Sequence, residues 1–152
     1  EVISLCTNTM HKVFDQMMQN ILIPSIHIAE STAQFITDDE YKKPALLATK
    51  FTMEEEFYVK KLTDYGLDPV LPTEESRDIL HSVIYDELCL NITSEKSRNK
   101  FLDIVKEVEQ EGADSVILGC TEVGMLLNED NVSLPVYDTV ELHCKSIFNA
   151  IL

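Results

Sequence analysis

The stretch Val116-Ile117-Leu118-Gly119-Cys120-Thr121-Glu122 decides the fold class of this chain. It begins as an apolar run without polar alternation, which is typical of a strand buried on both faces of a parallel sheet. The run ends in a Cys-Thr pair, and a helical pattern follows. A similar stretch, Val2-Ile3-Ser4-Leu5-Cys6-Thr7-Asn8-Thr9, stands near residue 1. Because open α/β sheets bind ligands at the carboxyl ends of their strands, both thiols are predicted to face one cleft.

Between these two stretches, strand and helix patterns alternate. Residues 44–49 and 115–119 are predicted strands, and residues 73–90 and 94–111 are predicted amphipathic helices. Thr52 stands where an N-cap is expected before another helix. The alternation predicts an α/β fold with a parallel sheet flanked by helices.

Composition limits the possible functions. The 152 residues carry a formal net charge of -15, and the 12 Lys and Arg residues form no basic stripe, which argues against nucleic-acid binding. No apolar run is long enough to span a bilayer, and no secretory signal pattern is present, so we expect no membrane association and a cytoplasmic location. The four cysteines are widely spaced, and this spacing predicts neither a metal site nor a disulfide framework.

The two Cys-Thr pairs are candidates for proton-transfer chemistry. A thiol at the first turn of a helix has its pKa lowered from about 8.5 toward neutrality, and this is the prediction for Cys6 and Cys120. The neighbouring hydroxyls and amide can donate hydrogen bonds to a carboxylate without adding positive charge. These candidate substrate-binding donors are Thr7, Asn8, Thr9 and Thr121, with Thr49 and Thr52 from the middle strand. The pattern therefore predicts a site for a small acid.

Simpler explanations exist for each of these residues. A single cysteine at a strand end is often a small core residue, and a threonine after a strand is often only an N-cap. Glu122 either contacts a substrate ammonium, assists Cys120, or stabilises a helix start. His11 lies near Cys6 and could relay a proton, although a surface or capping role fits it too. Cys89 and Cys144 are predicted to serve packing.

Four strings, taken together, resemble the aspartate/glutamate racemase family, and its aspartate racemase branch in particular. They are Cys6-Thr7-Asn8-Thr9-Met10-His11-Lys12, Leu47-Ala48-Thr49-Lys50-Phe51-Thr52-Met53, Ile84-Tyr85-Asp86-Glu87-Leu88-Cys89-Leu90 and Leu118-Gly119-Cys120-Thr121-Glu122. The resemblance extends from Val2 to the C-terminus. It implies a small-molecule amino-acid substrate, a reaction that needs no pyridoxal phosphate or other cofactor, and a homodimer.

By this resemblance, Cys6 and Cys120 are the two acid/base thiols of an acidic amino-acid racemase. One takes the α-proton as a thiolate, and the other delivers a proton to the opposite face of the carbon. The donors that carry over to the substrate are Thr7, Asn8, Thr9, Thr49, Thr52 and Thr121.

Family members have a further portion before the first catalytic cysteine. The resemblance therefore implies that residues 1–22 and 134–152 are the remnant of a first lobe and that residues 23–133 form a complete second lobe. A chain reduced in this way is expected to be weakly active or inactive.

Two other interpretations remain open at this point. One keeps the fold and changes the reaction to that of a hydantoin racemase, a maleate isomerase or a decarboxylase of the same superfamily. The other is a non-catalytic binding or structural protein that retains an amino-acid pocket or only a packed lobe.

Overall fold

Five short strands form two separate parallel sheets in the computed structural model, which describes residues 1–152. Strands β1 and β2 form the smaller sheet, and the larger sheet has the order β3-β4-β5. The strands are β1 (Ile3–Ser4), β2 (Ser25–Ile26), β3 (Pro44–Leu47), β4 (Ser115–Leu118) and β5 (Val136–Asp138). All pairings are parallel, and Leu118 of β4 lies between Leu47 and Asp138. The predicted α/β class with parallel strands is confirmed.

Seven α-helices connect and cover the strands. They are α1 (Phe14–Met18), α2 (Ile28–Asp38), α3 (Lys50–Glu54), α4 (Glu56–Asp64), α5 (Glu74–Asp86), α6 (Glu95–Gln110) and α7 (Thr139–Ile151). Three short 3-10 turns complete the chain, at Thr9–Val13, Leu88–Leu90 and Val123–Met125. No helix combines the length and the apolar character that crossing a bilayer requires.

The centre of the larger sheet is apolar on both faces. Every residue of β3 and β4 is buried, because helices cover both sides of these two strands. Phe101, Ile104 and Val105 of α6 belong to the same core of 30 buried apolar residues. This core fixes the carboxyl ends of β3 and β4 next to each other.

Local sequence signals define several helix ends. The Thr73 and Ser94 hydroxyls accept hydrogen bonds from backbone amides at the starts of α5 and α6, and Asp138 does the same for α7. Gly112, with φ of +94°, follows the end of α6. The predicted N-cap at Thr52 is wrong, because α3 begins earlier, at Lys50, and places Thr52 inside the helix.

The two Cys-Thr stretches do not share a sheet. β1 precedes Cys6 and pairs with β2, whereas β4 precedes Cys120 and pairs with β3 and β5. The pairing of β1 with β2 and of β4 with β5 also crosses the predicted boundaries at residues 22 and 134. The division into residues 1–22 with 134–152 and residues 23–133 stays a prediction.

Candidate active site

A cavity of about 170 Å³ lies where the segments that follow β1, β3 and β4 meet. Most of its wall comes from polar residues directly after strands, as expected for an open parallel sheet. None of its lining residues is Lys, Arg or His. The wall is formed by Thr7, Asn8, Thr9, Thr49, Ile84, Tyr85, Cys89, Gly119, Cys120, Thr121 and Glu122.

The structure brings together seven of the nine site residues predicted from the sequence. The seven that line the cavity are Thr7, Asn8, Thr9, Thr49, Cys120, Thr121 and Glu122. Thr52 is fully buried behind the wall, and Cys6 is exposed beside Thr7 without lining the cavity. The roles assigned to all nine residues stay predictions.

Three threonine hydroxyls connect the wall near α3. The hydroxyl of Thr52 lies 3.2 Å from that of Thr49 and 3.4 Å from that of Thr9. Thr52 therefore contacts two lining residues from behind. Its position makes it a support for Thr9 and Thr49, which line the cavity.

Glu122 receives two side-chain hydrogen bonds on one carboxylate oxygen. The Cys120 thiol donates to Oε2 across 3.0 Å, and the neighbouring Thr121 hydroxyl donates to the same oxygen. Burial acts to raise the pKa of Glu122, but these two hydrogen bonds outweigh it, and the pKa of Glu122 is lowered. Glu122 is therefore a carboxylate at neutral pH.

The thiol of Cys120 is held in its protonated form. Burial, followed by the hydrogen bond to Glu122, raises the pKa of Cys120 to about 12. The predicted lowering of this pKa is wrong, because only the three-residue turn Val123–Met125 follows the cysteine and no α-helix begins there. Burial therefore disfavours the thiolate most, and the adjacent carboxylate disfavours it further.

Cys89 also lines the cavity, from the turn Leu88–Leu90. Desolvation and the negative charge of Glu122 raise the pKa of the Cys89 thiol. Cys89 and Cys144 are both exposed, so the prediction that they serve packing is wrong. A signal for Cys89 was present in the sequence, because the string from Ile84 to Leu90 is one of the four family-like strings.

His11 is buried beneath the segment that carries Cys6. Its Nδ1 donates to the Thr7 carbonyl across 2.7 Å, and its Nε2 accepts from the backbone amide of Ile28 across 3.2 Å. Burial lowers the pKa of His11 to about 4, so the ring is neutral. Both ring nitrogens are engaged with the backbone. The imidazole therefore holds the Thr7 segment in place, which differs from the surface, capping and proton-relay roles considered above.

Open α/β folds bind ligands at the carboxyl ends of their strands, which is where this polar cavity lies. The sequence profile described as Asp/Glu/Hydantoin racemase matches residues 1–147. The chain belongs to this racemase family.

Individual relatives agree with this assignment. The chain is 40% identical to a putative Asp/Glu racemase from Yersinia pestis, with a TM-score of 0.95 over 99% of this chain and 66% of that structure. It is 34% identical to an aspartate racemase homologue from Pyrococcus horikoshii OT3, with a TM-score of 0.89 and the same two coverages. It is 24% identical to the broad specificity amino-acid racemase RacX of Bacillus subtilis (strain 168), over all of this chain and 65% of RacX. The chain thus spans just under two thirds of the length of these relatives.

Proposed function

We propose that this protein contributes the active site of a racemase for an acidic α-amino acid, aspartate or glutamate. The observation that carries the proposal is the single cavity that Thr7, Asn8 and Thr9 share with Cys120, Thr121 and Glu122. Family membership and the relatives described as aspartate or broad-specificity amino-acid racemases support the reaction class.

In the proposed reaction, Cys6 and Cys120 act on opposite faces of the α-carbon. The Cys6 thiolate takes the α-proton, and the Cys120 thiol gives its proton to the other face, which leaves a Cys6 thiol and a Cys120 thiolate. The reverse sequence inverts the other enantiomer. The raised pKa of Cys120 suits the half-reaction in which this residue starts as the acid.

Neutral donors would stabilise the charge that develops during proton removal. The hydroxyls of Thr7, Thr9 and Thr49 line the cavity and can donate to substrate carboxylate oxygens as negative charge moves onto them. The Thr121 hydroxyl donates to Glu122 in this structure and would have to turn away from that carboxylate to donate to the substrate. Asn8 completes the polar wall, and Thr52 supports Thr9 and Thr49 through its hydroxyl. Glu122 supplies an acceptor for a substrate ammonium.

The proposal includes a mechanism without pyridoxal phosphate. The lining residues include the proposed proton-transfer thiol of Cys120 and no lysine, so this part of the site offers no amine for a Schiff base. A small amino acid would be both the substrate and the ligand.

The proposed assembly is a cytoplasmic homodimer, with residues 23–133 as a complete lobe. Several large apolar side chains are exposed, among them Leu90, Phe148 and Ile151. Burial of such side chains between two copies would remove apolar surface from water, which supports the dimer.

Exchange of the α-proton in heavy water tests the racemase proposal. The 152-residue chain is incubated with L-aspartate, D-aspartate, L-glutamate or D-glutamate, and deuterium at the α-carbon is followed by NMR together with the enantiomer ratio. Cys6→Ala and Cys120→Ala are expected to abolish inversion. Cys144→Ala is the matched control, because Cys144 is an exposed thiol outside the cavity. Slow or absent exchange by the 152-residue chain agrees with its spanning just under two thirds of the length of its relatives. Absence of exchange by a version extended to the length of those relatives, or full turnover by either active-site variant, would contradict the proposal.

One observation favours a second candidate, an amino-acid-binding protein without turnover. Cys6 is exposed and does not line the cavity, whereas Cys120 does. Calorimetric titration with L-aspartate and the exchange assay together separate the two functions, because a binding protein gives a heat signal on titration but incorporates no deuterium.

A further inference from the structure

Thr139 connects the two segments that carry the candidate thiols. It is the first residue of α7, it is fully buried, and it does not line the cavity. Its hydroxyl donates to the Leu118 carbonyl across 2.8 Å and accepts a hydrogen bond from Asn8 Nδ2 across 3.1 Å. Leu118 ends β4 two residues before Cys120, and Asn8 follows Cys6 by two residues.

This pair of hydrogen bonds fixes which way the Asn8 amide faces. A carbonyl oxygen can only accept, so the single Thr139 hydroxyl hydrogen is committed to Leu118. The Thr139 oxygen can then only accept from Asn8, which requires the amide nitrogen on that side. If the amide were turned over, two acceptor oxygens would face each other.

The consequence is a buried acceptor without a protein donor, on a residue that lines the cavity. Asn8 lines the cavity and is only 4% exposed, and its Oδ1 is buried and receives no hydrogen bond from the protein. Buried amide oxygens are nearly always paired, because leaving one unpaired is unfavourable. A ligand that brings a donor to this wall would satisfy Asn8.

We infer that Thr139 is a positioning residue that makes Asn8 an acceptor for the α-ammonium group of the ligand. This inference rests on the proposed function and narrows its substrate class. The site then selects an amino acid over the corresponding acid without an amine, which separates the racemase from a maleate isomerase. It also changes the predicted role of Asn8, from a donor toward carboxylate to an acceptor from ammonium.

Binding of two matched probes tests the inference. L-Aspartate and succinate carry the same two carboxylates, and only L-aspartate has an amine. We expect the unmodified chain to prefer L-aspartate in calorimetric titration. Thr139→Val removes the hydroxyl at nearly constant volume and is expected to weaken L-aspartate binding about tenfold, the size of one lost hydrogen bond to a charged donor, while succinate binding changes less than about twofold. Thr139→Ser keeps the hydroxyl and is expected to retain the preference.

Further variants keep the inference open to refutation. Thr139→Ala replaces Thr139→Val if the latter fails to fold, as judged by circular dichroism. Asn8→Ala is expected to reduce the preference to the same extent as Thr139→Val, while the Glu122 carboxylate keeps the remainder. The combination of the two substitutions is expected to add little to either one. In the exchange assay, Thr139→Val should raise KM for L-aspartate more than it lowers kcat.

The possible failures are distinct. An unmodified chain that binds neither probe would overturn the proposed function together with this inference. Normal L-aspartate binding and exchange with an unchanged preference in Thr139→Val would overturn the inference alone. If Thr139→Val weakened the binding of L-aspartate and succinate equally, the inference would also be overturned, because this result would show a purely structural role for Thr139.

Discussion

The Cys120 thiol donates a hydrogen bond to the Glu122 carboxylate across 3.0 Å, within a Cys-Thr-Glu sequence that follows a buried strand. The proton of this hydrogen bond stays on the sulfur, because the pKa of Cys120 is raised to about 12 while that of Glu122 is lowered. The resting cavity therefore contains a protonated thiol beside a carboxylate. Removing that carboxylate charge should change the chemistry of the thiol more than the fold.

Glu122→Gln is expected to lower the pKa of Cys120 toward its ordinary value, because the neutral amide no longer opposes a thiolate. Burial of Cys120 stays, so the pKa should not fall below the ordinary range of a free thiol. At mildly alkaline pH, alkylation of Cys120 should accelerate by about tenfold, since only the thiolate reacts. The measurement uses a chain in which the other three cysteines are alanine. Glu129→Gln is the control, since Glu129 lies outside the cavity, and an equal acceleration in it would contradict this assignment.

Acidification is expected to destabilise the protein between about pH 6.5 and pH 4 through His11. The pKa of His11 is about 4 when folded and 6.5 when free, so the unfolded chain binds more protons in this interval. The contribution of neutral His11 to the unfolding free energy is fully present above about pH 6.5 and is lost as the pH falls toward about 4. After allowance for partial screening, this contribution is about 2 kcal/mol. His27, whose pKa is lowered to about 3 by burial, adds to the same trend. Urea unfolding at several pH values measures the slope.

His11→Phe should unfold at lower urea concentration at neutral pH and show a shallower pH dependence. The aromatic ring fills a similar volume but loses the bonds to Thr7 and Ile28. His81→Gln changes a histidine other than His11 and His27, and it should leave the pH dependence of the unfolding free energy as it is in the unmodified chain. An unchanged slope in His11→Phe would show that His11 does not carry the effect.

Thr52→Val is expected to cost about 1 kcal/mol of unfolding free energy, because the hydroxyls of Thr9 and Thr49 lose a buried partner while packing volume is kept. KM in the exchange assay should rise with it, since both of these threonines line the cavity. Thermal denaturation and exchange kinetics measure the two effects. Thr63→Val, on an exposed face of α4, is the control. A stability loss in Thr52→Val without any change in KM would limit Thr52 to a structural role.

Gly119→Ala is expected to destabilise the fold by about 1–3 kcal/mol, the usual cost of overpacking. A methyl group at this position would lie 2.8 Å from Leu46 Cδ1 and 3.0 Å from Ala48 Cβ, so β3 and the segment before Cys120 would have to separate. Gly124→Ala is the comparison, because there the methyl group would meet only the end of the Asp138 side chain, at 3.0 Å. Chemical denaturation of both variants measures whether Gly119→Ala loses more unfolding free energy than Gly124→Ala. A smaller loss at Gly119 than at Gly124 would contradict the close approach.

The sequence by itself determined the fold class and much of the cavity. Apolar runs at β3 and β4 specified buried parallel strands, Thr73 and Ser94 specified helix starts, and the polar residues after the strands supplied most of the lining. These features depend on neighbours within a few residues, and such local patterns are visible in one dimension. The same patterns carried the family resemblance.

Only the tertiary structure decided the charge states of the site residues and the contacts between residues far apart in the sequence. It placed Cys120 in the cavity wall, left Cys6 exposed outside that wall, and reversed the direction expected for the pKa shift of Cys120. It also joined Asn8 to Thr139, 131 residues away. Burial and electrostatic fields depend on which distant side chains surround a group, so packing fixes them, whereas local propensity does not.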